Sequence, residues 1–192
     1  MGTKQLRIWR SEFGQKWTDR NIVSPALRVK AFEKIIKGLE LESVLEVGCG
    51  SGHNLVTLSW LGNYRLVGID PQEYAVRQAK AHNVEAVLGD CFHIPFKDKV
   101  FDLVFTCGVL MHVSLEDLAQ AAQELWRVCR KYVLVIEYFS RQEESIHYHG
   151  FDDLLFKRDY SKLLPNCIEQ GFLGKEDGFD NCNWWLFSKE NE

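Results

Sequence analysis

A glycine-rich loop directly after a short buried strand constrains the fold of this 192-residue chain more than any other feature. The strand covers residues 44–47, and Gly48, Gly50 and Gly52 follow it at every second position. Glycine permits a backbone with positive φ and lets a ligand approach where a Cβ would block it. A helix is predicted over residues 54–60. The segment is therefore typical of a sheet that binds a ligand at the carboxyl ends of its strands.

The rest of the chain repeats this alternation of strand and helix. Ser24-Pro25 is a strong helix start, because Ser caps the first amide groups and Pro favours the first helical position. Further strands are predicted at residues 65–70, 84–88, 101–106 and 132–137, and helices at residues 74–83 and after Ser114. The pattern predicts an α/β fold with a Rossmann-like, doubly wound, seven-stranded and mostly parallel sheet.

The chain is expected to form a single domain over residues 1–192. Residues 24–192 would form the Rossmann-like core, and residues 1–23 a segment that covers the cofactor. Four of the six Trp residues lie near the two ends of the chain, at positions 9, 17, 184 and 185. This placement favours terminal segments that fold back onto the core or a pocket.

The C-terminal third carries weaker signals. Residues 139–155 are polar and rich in His, and they are predicted as a loop. Residues 156–164 suit a short helix. Residues 171–176 and 183–188 are predicted as two closing strands.

Charge and cysteine content narrow the function classes. The net charge is −4, whereas proteins that bind phosphate backbones present basic surfaces. A small-molecule acceptor is therefore expected, and nucleic acid is not. The six cysteines form no C-x-x-C pair, which removes support for a zinc or thioredoxin-like site. The sequence shows no signal peptide and no long apolar run, so we expect a cytoplasmic monomer or homodimer without a membrane partner.

Acidic side chains follow two further strands of the predicted sheet. Asp70 ends the second strand, 18 residues after Gly52, and Asp90 follows the third strand. At the carboxyl edge of the sheet, Asp70 can accept hydrogen bonds from both ribose hydroxyls of a ligand, and Asp90 can reach an adenine amine. Cys107, after the fourth strand, would lie under the rest of the ligand. The structural alternatives are a turn role for Asp70 and a capping role for Asp90.

The glycine spacing separates two classes of adenosine-containing cofactor. Dinucleotides require G-x-G-x-x-G, and the third glycine of that pattern would fall on His53 here. Glu46 would also stand close to a pyrophosphate. S-adenosylmethionine carries an ammonium and no phosphate, and Glu46 can support that ammonium indirectly. The loop together with Asp70 and Asp90 therefore predicts S-adenosylmethionine as the cofactor.

Three blocks of the chain, residues 44–55, 67–71 and 101–113, resemble class I S-adenosylmethionine-dependent methyltransferases. Other segments resemble the pseudaminic acid biosynthesis-associated methylases: residues 12–14, 17–21, 52–55, 137–139, 149–150, 155–160 and 183–187. That group belongs to bacterial clusters that make nonulosonic acids. The resemblance implies a methyltransferase that modifies a sugar or a nonulosonic-acid-related metabolite by O- or N-methylation.

The candidate cofactor-binding residues combine the loop, the strand ends and the N-terminal segment. Trp17 and Arg20 are expected to fold over the cofactor and bind its carboxylate, and packing of Trp17 on the sheet edge is the alternative. The full set is Trp17, Arg20, Glu46, Gly48, Cys49, Gly50, Asn54, Asp70, Pro71, Asp90, Cys91 and Cys107.

Methyl transfer from a sulfonium needs orientation above all, and a general base when the acceptor is a hydroxyl. His112, just after the fourth strand, is the leading candidate base, because imidazole titrates near neutral pH. Glu137 at the end of the fifth strand and His147 beyond it are the other catalytic candidates. The alternatives are packing for His112, an ion pair for Glu137 and solvation for His147. No metal site is predicted.

Four residues beyond the fifth strand are candidate substrate-binding residues: Tyr138, Tyr148, His149 and Arg158. A carboxylate-bearing sugar would suit a bidentate contact with Arg158, and a solvated helix face is the alternative for Lys157 and Arg158. The sequence thus predicts a methyltransferase that acts on a small polar molecule. Methylation of RNA or protein, and a non-catalytic S-adenosylmethionine-binding partner subunit, stay open.

Overall fold

The computed structural model describes residues 2–189. The helices are α1 (Lys4–Trp9), α2 (Glu12–Arg20), α3 (Pro25–Ile36), α4 (His53–Ser59), α5 (Glu73–Ala81) and α6 (Leu115–Val128). The strands are β1 (Ser43–Val47), β2 (Arg65–Asp70), β3 (Glu85–Leu88), β4 (Phe101–Cys107), β5 (Cys129–Glu137), β6 (Glu144–Tyr148), β7 (Phe151–Lys157), β8 (Cys167–Leu173) and β9 (Cys182–Ser188). Short 3-10 turns lie at Leu110–His112 and Lys175–Asp177. The outermost residues of the predicted domain, Met1 and 190–192, lie outside the described residues.

Seven of the strands form one sheet in the order β3-β2-β1-β4-β5-β9-β8. β1 pairs in parallel with β2 and β4, and β4 pairs in parallel with β5. β9 runs antiparallel to β5 and β8. The strand order reverses between β1 and β4, so the carboxyl ends of these two strands border the crevice in which such sheets bind ligands. The predicted Rossmann-like, seven-stranded, mostly parallel sheet is confirmed.

Successive residues of the central strands pack against opposite helical layers. Val44 belongs to the core that includes Phe32 of α3 and Leu55 of α4. Leu45 belongs to the core on the other face, which includes Leu125 of α6. Because side chains alternate across a strand, β1 is buried on both faces. This burial fixes the strand register, and with it the position of each loop at the carboxyl edge.

The predictions of a loop over residues 139–155 and a helix over residues 156–164 are wrong. β6 and β7 form an antiparallel hairpin there. The two residues of its turn, His149 and Gly150, both have positive φ, which is the requirement of a type I′ turn. His in the first position hides the usual Asn-Gly or Asp-Gly signal. The strand predicted over residues 171–176 is also shifted, because β8 begins earlier and a 3-10 turn follows it.

The N-terminal segment forms α1 and α2, which lie across the carboxyl edge of the sheet. Arg10 forms an ion pair with Asp90 after β3, at 2.7 Å. Trp17 donates a hydrogen bond from its indole N–H to the hydroxyl of Tyr148 in the hairpin, at 3.0 Å. The segment is therefore attached to the sheet edge on one side and to the β6–β7 hairpin on the other.

Within residues 2–189, no helix combines the length and the apolar character needed to cross a membrane. The longest helix, α6, has 14 residues, whereas a bilayer span takes about 20. All six cysteines are unpaired.

We expect Gly14→Ala to destabilise the junction between α1 and α2. A Cβ at position 14 would lie 1.9 Å from the carbonyl oxygen of Trp9, so the two helices would have to separate. Overpacking of this kind costs about 1–3 kcal/mol, which calorimetric unfolding would register as a lower Tm. Lys16→Ala is the matched control on α2, because it removes only an exposed ion pair with Glu12. An equal Tm for Gly14→Ala and the parent chain would contradict this packing.

Candidate active site

The loop after β1 turns back onto the end of β2. The amide groups of Gly48 and Cys49 both donate to the carbonyl oxygen of Ile69, at 2.8 and 2.9 Å. Gly48 and Gly50 have positive φ, 76° and 51°, a conformation that glycine adopts without steric strain. A Cβ at Gly50 would meet no atom within 4 Å, and Gly50 lines the cleft above the sheet edge. The loop therefore leaves free the space that a side chain would otherwise fill.

Asp70 lies at the end of β2, beside this loop. One of its carboxylate oxygens accepts the amide of Gly50 at 2.9 Å, and the other accepts the amide of Gln72 at 2.8 Å. Burial raises the pKa of Asp70 to about 6, and the two amide donors oppose that shift. A carboxylate oxygen can accept about two hydrogen bonds, so each oxygen of Asp70 keeps capacity for a ligand hydroxyl. Asp70 and Pro71 line a first cavity, an open cleft whose empty space, part of it open to solvent, is about 780 Å³.

The first cavity extends from Asp70 past the end of β3 to the N-terminal helices. Its wall also contains Trp9, Cys91, Cys107 and His112. Asp90 lines this wall, and one of its oxygens accepts the amides of Phe92 and His93. The other oxygen holds Arg10. Asp90, predicted as a ligand contact, therefore also attaches the N-terminal segment.

A second cavity of about 820 Å³ adjoins the first. The residues that line both are Trp17, Thr18, Gly48, Gly50, Cys107 and Gly108. The two cavities thus meet at the carboxyl ends of β1 and β4, where the strand order reverses.

A chain of polar side chains borders the second cavity. Arg28 Nη1 donates to Asn54 Oδ1, and Asn54 Nδ2 donates to Glu46 Oε1, both at 2.6 Å. Burial raises the pKa of Glu46 to about 8. Its other oxygen, Oε2, is buried and has no hydrogen-bond partner. A buried polar atom without a partner is destabilising, so a polar ligand group would be stabilised here.

Arg28 was not predicted from the sequence. It is the fourth residue of α3, close to the helix N-terminus, where the helix dipole disfavours a cation. A cation at this unfavourable position is the sequence signal that could have indicated a functional role. Its guanidinium stacks 4.2 Å from the ring centroid of Phe179. Its Nε donates to the carbonyl oxygen of Gly178 at 2.9 Å. These contacts hold the guanidinium beside the second cavity.

His112 lies in the 3-10 turn after β4 and lines the first cavity. Its Nδ1 is 2.6 Å from the carbonyl oxygen of Leu154 in β7. Because a carbonyl oxygen only accepts, Nδ1 carries the proton and Nε2 is an acceptor. Nε2 is buried without a partner, and burial lowers the pKa of His112 to about 4. The imidazole is therefore neutral at pH 7 and has one unused acceptor atom.

Aromatic side chains from the N-terminal segment and the hairpin surround His112. Its ring centroid is 4.6 Å from that of Trp9 and 5.6 Å from that of Tyr148. Trp17 packs edge to face against Trp9 at 5.4 Å. The position of Trp9 in this wall agrees with the expectation that Trp residues near the chain ends fold back onto a pocket.

The structure places Glu137 beneath the site, fully buried, rather than at its rim. Its carboxylate accepts hydrogen bonds from the amides of Val109, Leu110 and Met111 and from the hydroxyl of Thr106. Burial raises the pKa of Glu137 to about 7, and these donors oppose the shift. A carboxylate enclosed by the turn cannot reach an acceptor, so the catalytic role expected from its position at the end of β5 has no geometric support.

Arg158 is also enclosed, with only 4% of its surface exposed. Its Nη1 donates to the carbonyl oxygens of Val113 at 2.7 Å and Leu110 at 3.3 Å. Its Nε pairs with Glu143 at 2.5 Å. Its Nη2 is buried without a partner, so the guanidinium offers no accessible edge for a bidentate contact with a substrate carboxylate.

Two predicted residues lie near the cavities. Tyr138 lines the second cavity, and its hydroxyl donates to Asp180 at 2.8 Å. Tyr148 lies between Trp17, with which it forms a hydrogen bond, and the ring of His112.

The other predicted residues lie farther out. His147 is exposed and pairs with Asp152 at 2.6 Å. It faces away from its neighbour Tyr148, because side chains alternate along a strand. His149 is exposed in the hairpin turn, and Arg20 is exposed at the end of α2, 5.8 Å from the ring centroid of Phe13. Among residues 2–189, no three His, Cys, Asp or Glu side chains stand together as a metal site would require.

Known proteins with similar sequences match the central part of this chain. Residues 45–136 match the family described as methyltransferase domain. Squalene methyltransferase 1 of Botryococcus braunii is 30% identical over 112 residues, which cover 54% of this chain and 28% of that protein. A tRNA U34 carboxymethyltransferase of Nautilia profundicola is 33% identical over 110 residues, which cover 54% of this chain and 32% of that protein. The matched part is thus less than a third of the length of each of these relatives.

A solved structure extends the likeness to nearly the whole chain. The 1,6-didemethyltoxoflavin-N1-methyltransferase of Burkholderia thailandensis, solved with 1,6-didemethyltoxoflavin and S-adenosylhomocysteine, superposes with a TM-score of 0.73 at 15% identity. The match covers 98% of this chain and 91% of that one. The names of these proteins refer to different acceptors, so the acceptor does not follow from them, and the likeness to pseudaminic acid-associated methylases stays a prediction. Residues 45–136 are therefore similar to a methyltransferase domain, and nearly the whole chain has the fold of a solved methyltransferase.

Proposed function

We propose that the whole chain is an S-adenosylmethionine-dependent methyltransferase that acts on a small polar acceptor, a sugar or a nonulosonic-acid-related metabolite, by O- or N-methylation. The observation that carries this proposal is the meeting of the two cavities at Gly50 and Cys107. Asp70 lines one cavity, and the polar chain that ends on Glu46 borders the other. A ligand with a ribose at one end and an amino acid at the other fits this pair of cavities.

The residues present fit S-adenosylmethionine. Asp70 keeps acceptor capacity for two ribose hydroxyls, and the open space above Gly50 gives the ligand a cradle. The guanidinium of Arg28 suits a carboxylate, and an ammonium beside the unpartnered oxygen of Glu46 would favour the charged form of that carboxyl and lower its raised pKa. Residues 2–23 would then cover the adenosine end, with Trp17 at the junction of the two cavities.

The chain's main contribution to catalysis is orientation. When bound, S-adenosylmethionine supplies a methyl group on a sulfonium that is already activated for in-line displacement. Holding the reacting atoms at attack distance is worth about 7–11 kcal/mol. His112 offers Nε2 to an O–H or N–H of the acceptor molecule and takes its proton as the methyl group leaves sulfur. The lowered pKa of His112 keeps Nε2 unprotonated, and therefore available, at neutral pH.

Several features favour a small acceptor with hydroxyl or amine groups. The two cavities together form a concave, partly open cleft, as small-molecule sites do, and the net charge of −4 disfavours a nucleic acid. The Tyr138 hydroxyl and the Asp180 carboxylate supply polar groups in the second cavity, and an acceptor at its junction with the first cavity would lie between these groups and His112. The sugar class rests on the resemblance to pseudaminic acid-associated methylases. Recognition of an acidic group by Arg158 is not part of the proposal, because that guanidinium is enclosed.

We expect S-adenosylhomocysteine to bind, and its affinity to depend on the ionisation of Asp70. The folded pKa of about 6 lies above the usual value of 3.8, so the charged form that accepts hydroxyl donors is fully present only above that pH. Affinity should fall as the pH is lowered from about 7 to about 5. Asp70→Asn should bind roughly 10–100-fold more weakly, because it loses charge-assisted hydrogen bonds, and should not show this step. Calorimetric titration measures both.

Asp98→Asn is the control, since Asp98 is exposed and pairs with Arg127 on another part of the surface. Glu46, with a pKa of about 8, is already largely protonated at pH 7, and His112 titrates below this window, at about 4. Glu137, with a pKa of about 7, titrates at the upper edge of the window in both proteins, so the comparison with Asp70→Asn removes its contribution. Absence of binding to the parent chain at high ligand concentration would refute the proposed function. An identical pH step in Asp70→Asn would remove Asp70 as its cause.

We expect His112→Ala to lower turnover more than ligand affinity. Loss of a positioned base reduces rates by about 10²–10⁴-fold, whereas Asp70 and Arg28 remain to bind the cofactor. Turnover is measured as S-adenosylhomocysteine released with a bacterial small-molecule extract as the acceptor source. Asp98→Asn again serves as the control, because Asp98 is exposed and pairs with Arg127, and neither residue lines the two cavities. Equal turnover of the His112→Ala variant and the parent chain would exclude His112 as the base.

A further inference from the structure

The turn between β4 and α6 carries His112 and is held at its amide groups by Glu137. Glu137 Oε1 accepts the amides of Val109 and Leu110 at 3.0 and 2.9 Å, and Oε2 accepts the amide of Met111 at 3.2 Å. A carboxylate forms stronger hydrogen bonds with amides than a neutral acceptor does. Three successive amides are thereby directed at one side chain, which fixes the backbone immediately before His112.

The same turn is held at its carbonyl groups by Arg158. Nη1 of this residue donates to the carbonyl oxygens of Leu110 and Val113, which flank His112 in the chain. Glu143 pairs with Arg158 Nε and orients the guanidinium. The turn is therefore held from two sides. Glu137 of β5 accepts hydrogen bonds from its amides, and Arg158, which follows β7, donates hydrogen bonds to its carbonyls.

β7 also supplies the contact that sets the proton on the imidazole. The Leu154 carbonyl accepts from Nδ1 of His112, a residue that lines the first cavity, and this leaves Nε2, which is buried without a partner, as the acceptor atom of the ring. The ring can keep this tautomer only while the turn and β7 stay at a fixed distance. Arg158, one residue beyond β7, joins these two elements directly.

Resting on the proposed role of His112 in methyl transfer, we infer that Glu137 and Arg158 are positioning residues for this reaction, which hold the His112 ring at the wall of the first cavity in the Nδ1–H tautomer, with Nε2 as its acceptor atom. This assigns Arg158 to the geometry of the site instead of to a substrate carboxylate. It also assigns the β6–β7 hairpin and the residue after it a part in catalysis, because both Leu154 and Arg158 belong to that region.

The test is the tautomer of His112, read from long-range imidazole ¹H–¹⁵N spectra of the ¹⁵N-labelled chain and assigned by comparison with His112→Asn. In the parent chain we expect the Nδ1–H form. In Glu137→Gln and Arg158→Met we expect a shift toward the Nε2–H form or exchange between the two forms. Glu143→Gln leaves the guanidinium in place, so it should give a smaller shift and provides a milder variant if Arg158→Met does not fold.

Arg127→Met is the matched control for Arg158→Met. Arg127 likewise donates to two backbone carbonyls, those of Ile94 and Phe96, and pairs with a carboxylate, Glu124. If its loss lowers Tm without changing the His112 signals, a merely structural effect is excluded. Unchanged His112 signals in the folded Glu137 and Arg158 variants, or an equal change in Arg127→Met, would overturn the inference.

The outcome can be separated from that of the proposed function. S-adenosylhomocysteine binding by the parent chain tests the proposed function, and the His112 spectra need no ligand or turnover. If the parent chain binds no ligand but the Glu137 and Arg158 variants show the expected tautomer shift, the methyltransferase proposal is refuted and the structural assignment of Glu137 and Arg158 is kept. If the parent chain binds S-adenosylhomocysteine but the variants show no shift, the proposed function is kept and the positioning role of Glu137 and Arg158 is overturned.

Discussion

The hydrogen bonds between the loop after β1 and the end of β2 are the contacts on which the rest of the cleft depends. The amides of Gly48 and Cys49 share one carbonyl oxygen, that of Ile69, and the amide of Gly50 is bound by Asp70. These bonds direct the loop across the point where the strand order reverses, so both cavities border it. They involve backbone atoms on the loop side, and therefore depend on residues that tolerate positive φ.

Three buried carboxyl groups near the cleft have raised pKa values, and their hydrogen bonds separate their roles. Glu137 has four donors, all from the protein, and lines neither of the two cavities, so it is a structural group. Asp70 lines the first cavity, has one amide on each oxygen and keeps capacity for more. Glu46 lines the second cavity and has one oxygen with no partner. Burial raises the pKa of all three, and contact with a cavity together with unused hydrogen-bond capacity distinguishes the two groups that suit a ligand.

Sequence patterns predicted the positions of those features whose physical cause lies in neighbouring residues. The glycines, Asp70 and the alternation of strand and helix follow from residue types within one or two elements. Glu137 was expected at the rim as the end of the fifth strand, and Arg158 near that rim on a predicted short helix. Their partners Met111 and Leu110 lie 26 and 48 residues away in the chain. Contacts at that separation leave no period or spacing in a single sequence. The β6–β7 hairpin was not predicted for a different reason: His149 occupies the turn position where Asn or Asp usually marks a hairpin.

The N-terminal segment is held by side-chain contacts, whereas the strands of the sheet are joined by backbone hydrogen bonds. It is attached by side chains, among them Arg10 to Asp90 and Trp17 to Tyr148, and contributes no strand. A molecule in the first cavity would contact the sheet edge together with α1 and α2, and would add its own contacts to those that join them. Binding in the cleft and docking of the first two helices would then be linked, so that each stabilises the other.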